Sequence, residues 1–387
     1  MKINVIASTN MGYNATKADF DNFSGKCAGV CYMAETFEEL LNEDPAKTAK
    51  RVEQTKVNGH HSVFDHETIS LYLDGVPKII AMILNNEKQY ATSEKSARYT
   101  RMQPSEQEQI LYNKWLEILK NRIAKKYQEE YPAFFTDAKI TKLAQENARY
   151  LISVFTPTSM VYTTTFRQFN YIIAMCDAFI NKVQKSKFES AVMPYVSEFV
   201  SLLKEMEYYD PKLSVNEKNR TLSLFAEDRP VEEYFGDVYA CSYTASFAEL
   251  AQAQRHRTIS YNMSVLENEY YVPPIIAESE DLKNLWIDDL KSLGGYPTAT
   301  LLNVNEFGNL DGFILKMKER KCTMAQLEIN QITNDILKKY AYALRLKVHP
   351  RAEEILNYTH GSRCTFPDYK CPAPCGFALG INETRQI

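Results

Sequence analysis

The chain has 387 residues, with 45 Lys and Arg against 49 Asp and Glu and a formal net charge of -4. With 45% hydrophobic and 24% charged residues it can bury a sizeable core, which excludes wholesale disorder and collagen-like repetition. The slight acidity argues against a general nucleic-acid coat, which needs a basic excess, and no apolar run approaches the roughly 18 residues of a spanning helix. A soluble, cytoplasmic protein is expected, with no membrane and no nucleic acid among its partners, and the length suits two domains.

In chain order, alternation in Lys2-Ile3-Asn4-Val5-Ile6 predicts a first strand, and residues 36–56 carry the period of a charged helix. Gly59-His60-His61-Ser62 ends that helix. Thr68–Leu73 alternates like a strand, Pro77 opens an apolar helix over Lys78–Leu84, and Gln89–Arg101 reads as a polar loop. Helices are predicted over 105–130, 137–153, 166–183 and 188–205. From about residue 211 the order restarts, with strands at Thr221–Phe225 and Val238–Ser242, a helix at Ser246–Arg255, and helices at 281–292, 307–319 and 323–340. Pro157-Thr158 and Pro297-Thr298 precede comparable helices, so the restart reads as a duplication. The division falls near Tyr209-Asp210-Pro211, giving halves of 1–210 and 211–387.

Several clusters carry possible chemistry. The eight cysteines are too sparse for a disulfide scaffold. His360, Cys364, Cys371 and Cys375 are spaced H-x3-C-x6-C-x3-C and could offer four zinc ligands, but the spacing matches no strong zinc signature. Reduced, partly buried thiols are the plainer reading. Three of the six His fall within Gly59–His66, without evident further metal ligands. Arg255-His256-Arg257 stands at the end of the helix that begins at Ser246. If the helix continues that far, the two arginines point some 200° apart and can serve different anions, though a cationic trio also suits a helix C-terminus on its own account. Thr92–Tyr99 offers a hydroxyl, a carboxylate, a guanidinium and an aromatic ring, as an anion clamp or as a polar turn capping the next helix.

Together, Gly59-His60-His61-Ser62, Phe64-Asp65-His66, a strand, an apolar helix, Arg-His-Arg and Ser-x-Arg-Tyr form an order that resembles the flavin-dependent thymidylate synthases. The pattern is split. The first half holds Gly59–His66 and Ser96-Ala97-Arg98-Tyr99, with Asn86-Glu87-Lys88 where Arg-His-Arg belongs. The second half holds Arg255-His256-Arg257, with Val265 and Glu267 where the family has Ser and Arg. Arg320, Ala325, Gln326, Glu328 and Ile329 meet the family's Arg-x4-Ala-Gln-x-Glu-Ile, and Met324 replaces a His often seen before Ala-Gln.

The resemblance implies an α+β fold of two tandem family-like domains, each a mainly antiparallel sheet with packed helices. It implies an FAD enzyme that methylates dUMP to dTMP, with methylenetetrahydrofolate as carbon donor and NADPH as reductant. Because the halves keep complementary motifs, one composite site per chain is expected, in a homodimer that imitates the family's homotetramer. Ser96, Arg98, Arg255 and Arg320 would act on the pyrimidine and phosphate; Glu94, Ala97, Arg149 and Gln252 would complete the nucleotide site. His60, Ser62, His256, Arg257 and Asn309 would face the flavin. The alternatives are a catalytically silent nucleotide-binding or scaffolding paralogue, and a related flavoenzyme modifying C5 of another pyrimidine.

Overall fold

The computed structural model describes residues 1–9, 15–95, 103–226, 231–372, 375 and 385–387. Strand β1 (Lys2–Ser8) is followed by helices α1 (Lys17–Tyr32), α2 (Phe37–Leu41) and α3 (Pro45–Val57). Then come β2 (Thr68–Pro77), α4 (Lys78–Leu84), β3 (Tyr90–Glu94), α5 (Glu106–Ile123), α6 (Asp137–Ala148), β4 (Pro157–Thr165), α7 (Phe166–Ile180) and α8 (Lys187–Lys204). The later part holds β5 (Tyr234–Phe235), β6 (Val238–Ser246), α9 (Phe247–Ala253), β7 (Ser260–Tyr270), α10 (Pro274–Ala277) and α11 (Glu280–Ser292). It closes with β8 (Thr300–Asn309), α12 (Leu310–Arg320), α13 (Leu327–Leu346) and α14 (Ala352–Asn357).

Local chemistry explains where many helices begin. Thr16, Thr36, Ser105 and Ser186 each accept from the backbone three residues on, and Asp19, Glu39, Glu108 and Glu189 reach back to the cap. Pro45 opens α3 behind an Asp44 cap, which divides the helix predicted over 36–56 into α2 and α3. Thr221–Phe225, predicted as a strand, is instead a short 3-10 turn at Ser223–Phe225. Both Leu224 and Phe225 are buried, so its apolar positions serve a turn rather than a pleat. The helix predicted from 307 starts at Leu310, because 307–309 complete β8.

Two compact units result, Met1–Lys95 with Pro157–Ser223, and Ser96–Thr156 with Leu224–Ile387. Residues 96–156, ahead of the division read near 210, thus belong with the later part of the chain. The first unit also extends past that division. Asp210 is buried and takes the ammonium of Lys56 at 2.6 Å and that of Lys17 at 2.8 Å, while Asn170 Oδ1 accepts its backbone N–H.

Each unit contains a four-stranded antiparallel sheet, in the orders β1-β2-β4-β3 and β5-β6-β8-β7. The two orders are the same when the strands of each unit are counted in sequence. In both, a helix follows the second strand (α4, α9), a helical pair intervenes between the third and fourth (α5 and α6, α10 and α11), and helices follow the fourth (α7 and α8; α12, α13 and α14). β2 shows why a sheet forms. Ile69, Leu71 and Leu73 are buried on one face while Tyr72 and Asp74 face outward. Gly75, at φ +67, takes the left-handed conformation at the bulge that follows Asp74.

The two intervening helical pairs pack together in the second unit. Trp115 of α5 meets Trp286 of α11 edge to face at 4.8 Å, and both rings are fully buried. Asp289 accepts from the Trp115 indole at 2.7 Å and from Lys114 at 2.6 Å. This packing fixes the end of α6, and therefore Arg149.

Candidate active site

Arg149 follows α6 on a 3-10 turn, Gln252 lies on α9, and Arg320 ends α12. In the second unit one amide links two of them. Gln326 Oε1 accepts from both Arg149 Nη2 and Gln252 Nε2. Its own Nε2 donates to the Tyr150 hydroxyl, which donates to Glu328 Oε2 at 2.6 Å. Glu328 also accepts from the Ser246 backbone N–H at 2.8 Å and hydroxyl at 2.7 Å, and Ser246 caps α9. Arg320 Nη2 donates to the Gln252 carbonyl at 3.1 Å. Three residues far apart in sequence are therefore held in one polar network. Backbone bonds support it, since Thr298 and Ala299 donate to the carbonyls of Ile152 and Tyr150, pinning the turn that carries Arg149.

Helix α9 ends at Ala253, so Arg255-His256-Arg257 occupies the turn beyond it rather than the helix. His256 points inward and is buried, whereas Arg255 and Arg257 are exposed. Arg320 Nε donates to His256 Nε2 at 2.7 Å. Burial, with the charges of Arg320 and Lys316 close by, lowers the imidazole pKa to about 2. The trio is consequently two cations and one neutral acceptor.

Behind α9 lies a buried acidic cluster with no counterpart in the sequence reading. Glu306 pairs with Lys316 at 2.5 Å, both side chains fully buried, and accepts from the hydroxyls of Tyr239 at 2.5 Å and Tyr243 at 2.8 Å. Glu249 is also fully buried, and neither carboxylate oxygen has a hydrogen-bond partner. Burial raises its pKa to about 8; Glu328 and Glu306 push the same way, against Lys316 and Arg320.

Glu94 is in the first unit, where Lys78 donates to Oε1 at 2.5 Å and Asn85 to Oε2 at 3.2 Å. His60 and Ser62 are exposed in that unit, on either side of buried His61. Asn309 caps α12, its Oδ1 accepting from Gly312 N–H at 2.7 Å, so its side chain serves the fold. Ser96, Ala97 and Arg98 lie outside the described residues. At Asn86-Glu87-Lys88, topologically equivalent to Arg255-His256-Arg257, the side chains hold the chain itself. Asn86 donates to Ser223 Oγ at 2.7 Å and Ser223 N–H donates to Glu87 at 2.5 Å. Burial raises the Glu87 pKa and lowers that of Lys88.

The weak zinc candidates do not gather. Among the described residues no group of three or more His, Cys, Asp or Glu could hold a metal ion. Cys364 instead lies 3.1 Å from the Ser362 hydroxyl, and Cys375 lies 3.2 Å from that of Thr323. Among the described residues no helix is long and apolar enough to cross a membrane.

Residue identity missed Gln326, Tyr150 and Glu249 as members of this region. Gln326 stood within Arg-x4-Ala-Gln-x-Glu-Ile, so a signal was present. Nothing in the sequence marked Glu249, whose neighbours Phe247 and Leu250 read as ordinary helix core.

Residues 15–178 match the family model described as thymidylate synthase complementing protein. Among solved structures, the chain is similar to the UMP/dUMP methylase PolB from Streptomyces cacaoi bound with 5-Br dUMP. Identity is 15%, over 53% of this chain and 90% of that one, at a TM-score of 0.33. It is also similar to the flavin-dependent thymidylate synthase ThyX from Helicobacter pylori complexed with FAD and dUMP. Here identity is 13%, over 53% of this chain and 99% of that one, at a TM-score of 0.30. No curated protein matches the chain.

Proposed function

We propose that the chain is a flavin-dependent thymidylate synthase that methylates dUMP at C5, with methylenetetrahydrofolate as carbon donor and NADPH as reductant. The observation that carries this reading is the network joining Arg149, Gln252 and Arg320 within one unit, in a chain whose residues 15–178 match the family model. Arg149 comes from the first sequence half and the other two from the second. In this sense the nucleotide site is composite, and the repeated strand order supports an ancient duplication as its origin.

Exposed Arg255, together with Arg149 and Arg320, would meet the phosphate and the pyrimidine carbonyls, where fixed guanidiniums stabilise charge developing on the ring. Gln252 would orient the base, and neutral His256 keeps Arg320 aimed without adding a competing charge. A bound FAD would supply reducing equivalents. Within the second unit, exposed Arg257 has the chemistry to hold the FAD diphosphate, whereas Asn309 is committed to its cap; within the first, His60 and Ser62 are exposed donors.

One nucleotide per chain is supported by the first unit's Asn86-Glu87-Lys88, where Asn86 and Glu87 are buried and bound to Ser223 and no arginine stands. A homodimer remains the proposed assembly. Purified protein should show flavin absorption that bleaches with NADPH, should convert dUMP to dTMP by mass spectrometry, and should titrate near one dUMP per chain. A colourless protein that takes up no added FAD would overturn the enzyme; two equally tight dUMP sites would overturn the single composite site.

A further inference from the structure

We infer that the second unit carries a separate binding site for a compact polyanion of the diphosphate class, between α13 and the chain that follows α14. A cavity of about 320 Å³ opens there. That volume exceeds what a single halide or water fills, since one water takes up about 30 Å³ of liquid.

Its wall is polar and cationic. Lys321, Lys338 and Arg385 line it, and none of the described lining residues is acidic. The face of α13 toward the cavity presents Asn330, Asn334 and Lys338 at four-residue spacing, which stacks them along one side of the helix. Hydroxyls of Thr323, Thr359 and Ser362 come from two further segments, and Leu327 is the one apolar side chain among the described lining residues. A tetrahedral oxyanion can take charged nitrogens, amide N–H groups and hydroxyls from several directions, and two linked phosphoryl groups carry enough charge to offset three cations.

The site is built rather than a chance gap. Lys321 is only 6% exposed, and its ammonium donates to Asn334 Oδ1 at 2.5 Å. Arg385, 5% exposed, donates to the carbonyls of Thr323 and Ala325 at 2.8 and 3.0 Å, fixing the loop that supplies Thr323. Asn330 Nδ2 donates to the Arg320 carbonyl at 2.8 Å, so the pocket wall is tied to the backbone of a residue in the nucleotide network. Arg320 itself turns its side chain to His256 and Gln252, and none of Arg149, Gln252 or Arg255 lines the cavity.

Calorimetry of the full chain with inorganic pyrophosphate tests this, with citrate as a carboxylate control and with saturating dUMP present in a parallel titration. Pyrophosphate should bind near one per chain, unaffected by dUMP and more tightly than citrate. Lys338→Met, an exposed position, and Lys321→Met should each weaken it about tenfold or more, the size of one lost charge-assisted contact. Absence of binding, displacement by dUMP, preference for citrate, or unchanged affinity in a folded Lys338→Met variant would each overturn the site. Because dUMP binding is read separately, failure here leaves the nucleotide site standing, and failure there leaves this one.

Discussion

Glu249 should make the protein less stable as pH rises through neutrality. An unfolded chain ionises this carboxyl near 4.5, whereas the folded one holds its proton to about 8. Between those values the folded state binds a proton that the unfolded state has released, so stability falls with increasing pH, by about 1.4 kcal/mol per unit. Above 8 both states are ionised and the loss is constant; below 4.5 both are protonated and there is none. Relative to a neutral side chain of the same shape, the folded state is thus penalised by about 3 kcal/mol at pH 7 and about 5 kcal/mol at full ionisation. Glu249→Gln keeps the shape and removes the titration. Urea unfolding at about pH 5, 7 and 8.5 should show a gap in favour of the variant that widens with pH. Any constant offset reports the amide's own contacts, and only the slope reports Glu249. A gap independent of pH, or one that narrows as pH rises, would refute the picture of an unpartnered acid behind α9.

Asp210 should behave in the opposite sense. Burial alone would raise its pKa, but hydrogen bonds from Lys17 and Lys56 outweigh that and hold it at about 2, so its contribution is present above the ordinary carboxylate range and is lost as pH falls toward 2. Asp210→Asn should lower stability at pH 7 by about 3 kcal/mol, with the difference shrinking in acid, because Asp21 is then the one carboxylate left to Lys56 and Lys17 among the described residues. Trp286→Ala should cost about 3 to 5 kcal/mol by opening a cavity against Trp115, measured by denaturant unfolding. Gln326→Leu should weaken dUMP binding about tenfold without contributing a charge, since Arg149 and Gln252 lose their shared acceptor; unchanged calorimetric affinity would remove the network from the nucleotide site.

Much of the local structure was legible in the amino acids. Cap residues, Pro77 and apolar periodicity located α4, α5, α7, α8 and α11 closely, because these signals act within a few residues of the chain. The motifs Arg255-His256-Arg257 and Arg320 with Gln326 were equally visible. Strands β4 and β7 were not, since Thr163, Thr164 and Thr165, or Glu267, Asn268 and Glu269, show no apolar alternation over part of their length. Their pairing with β2 and β8 decides their conformation. No local signal could send residues 96–156 to the later unit. That assignment depends on Trp115 finding Trp286, a contact across 171 positions whose favourable term is burial of surface rather than any preference of the intervening chain. The same contact puts Arg149 beside Gln326. It is also tertiary packing that separates Glu249, sealed without a hydrogen-bond partner for its carboxylate, from Glu306, sealed in an ion pair with Lys316: two glutamates of identical intrinsic chemistry in surroundings that only the fold distinguishes.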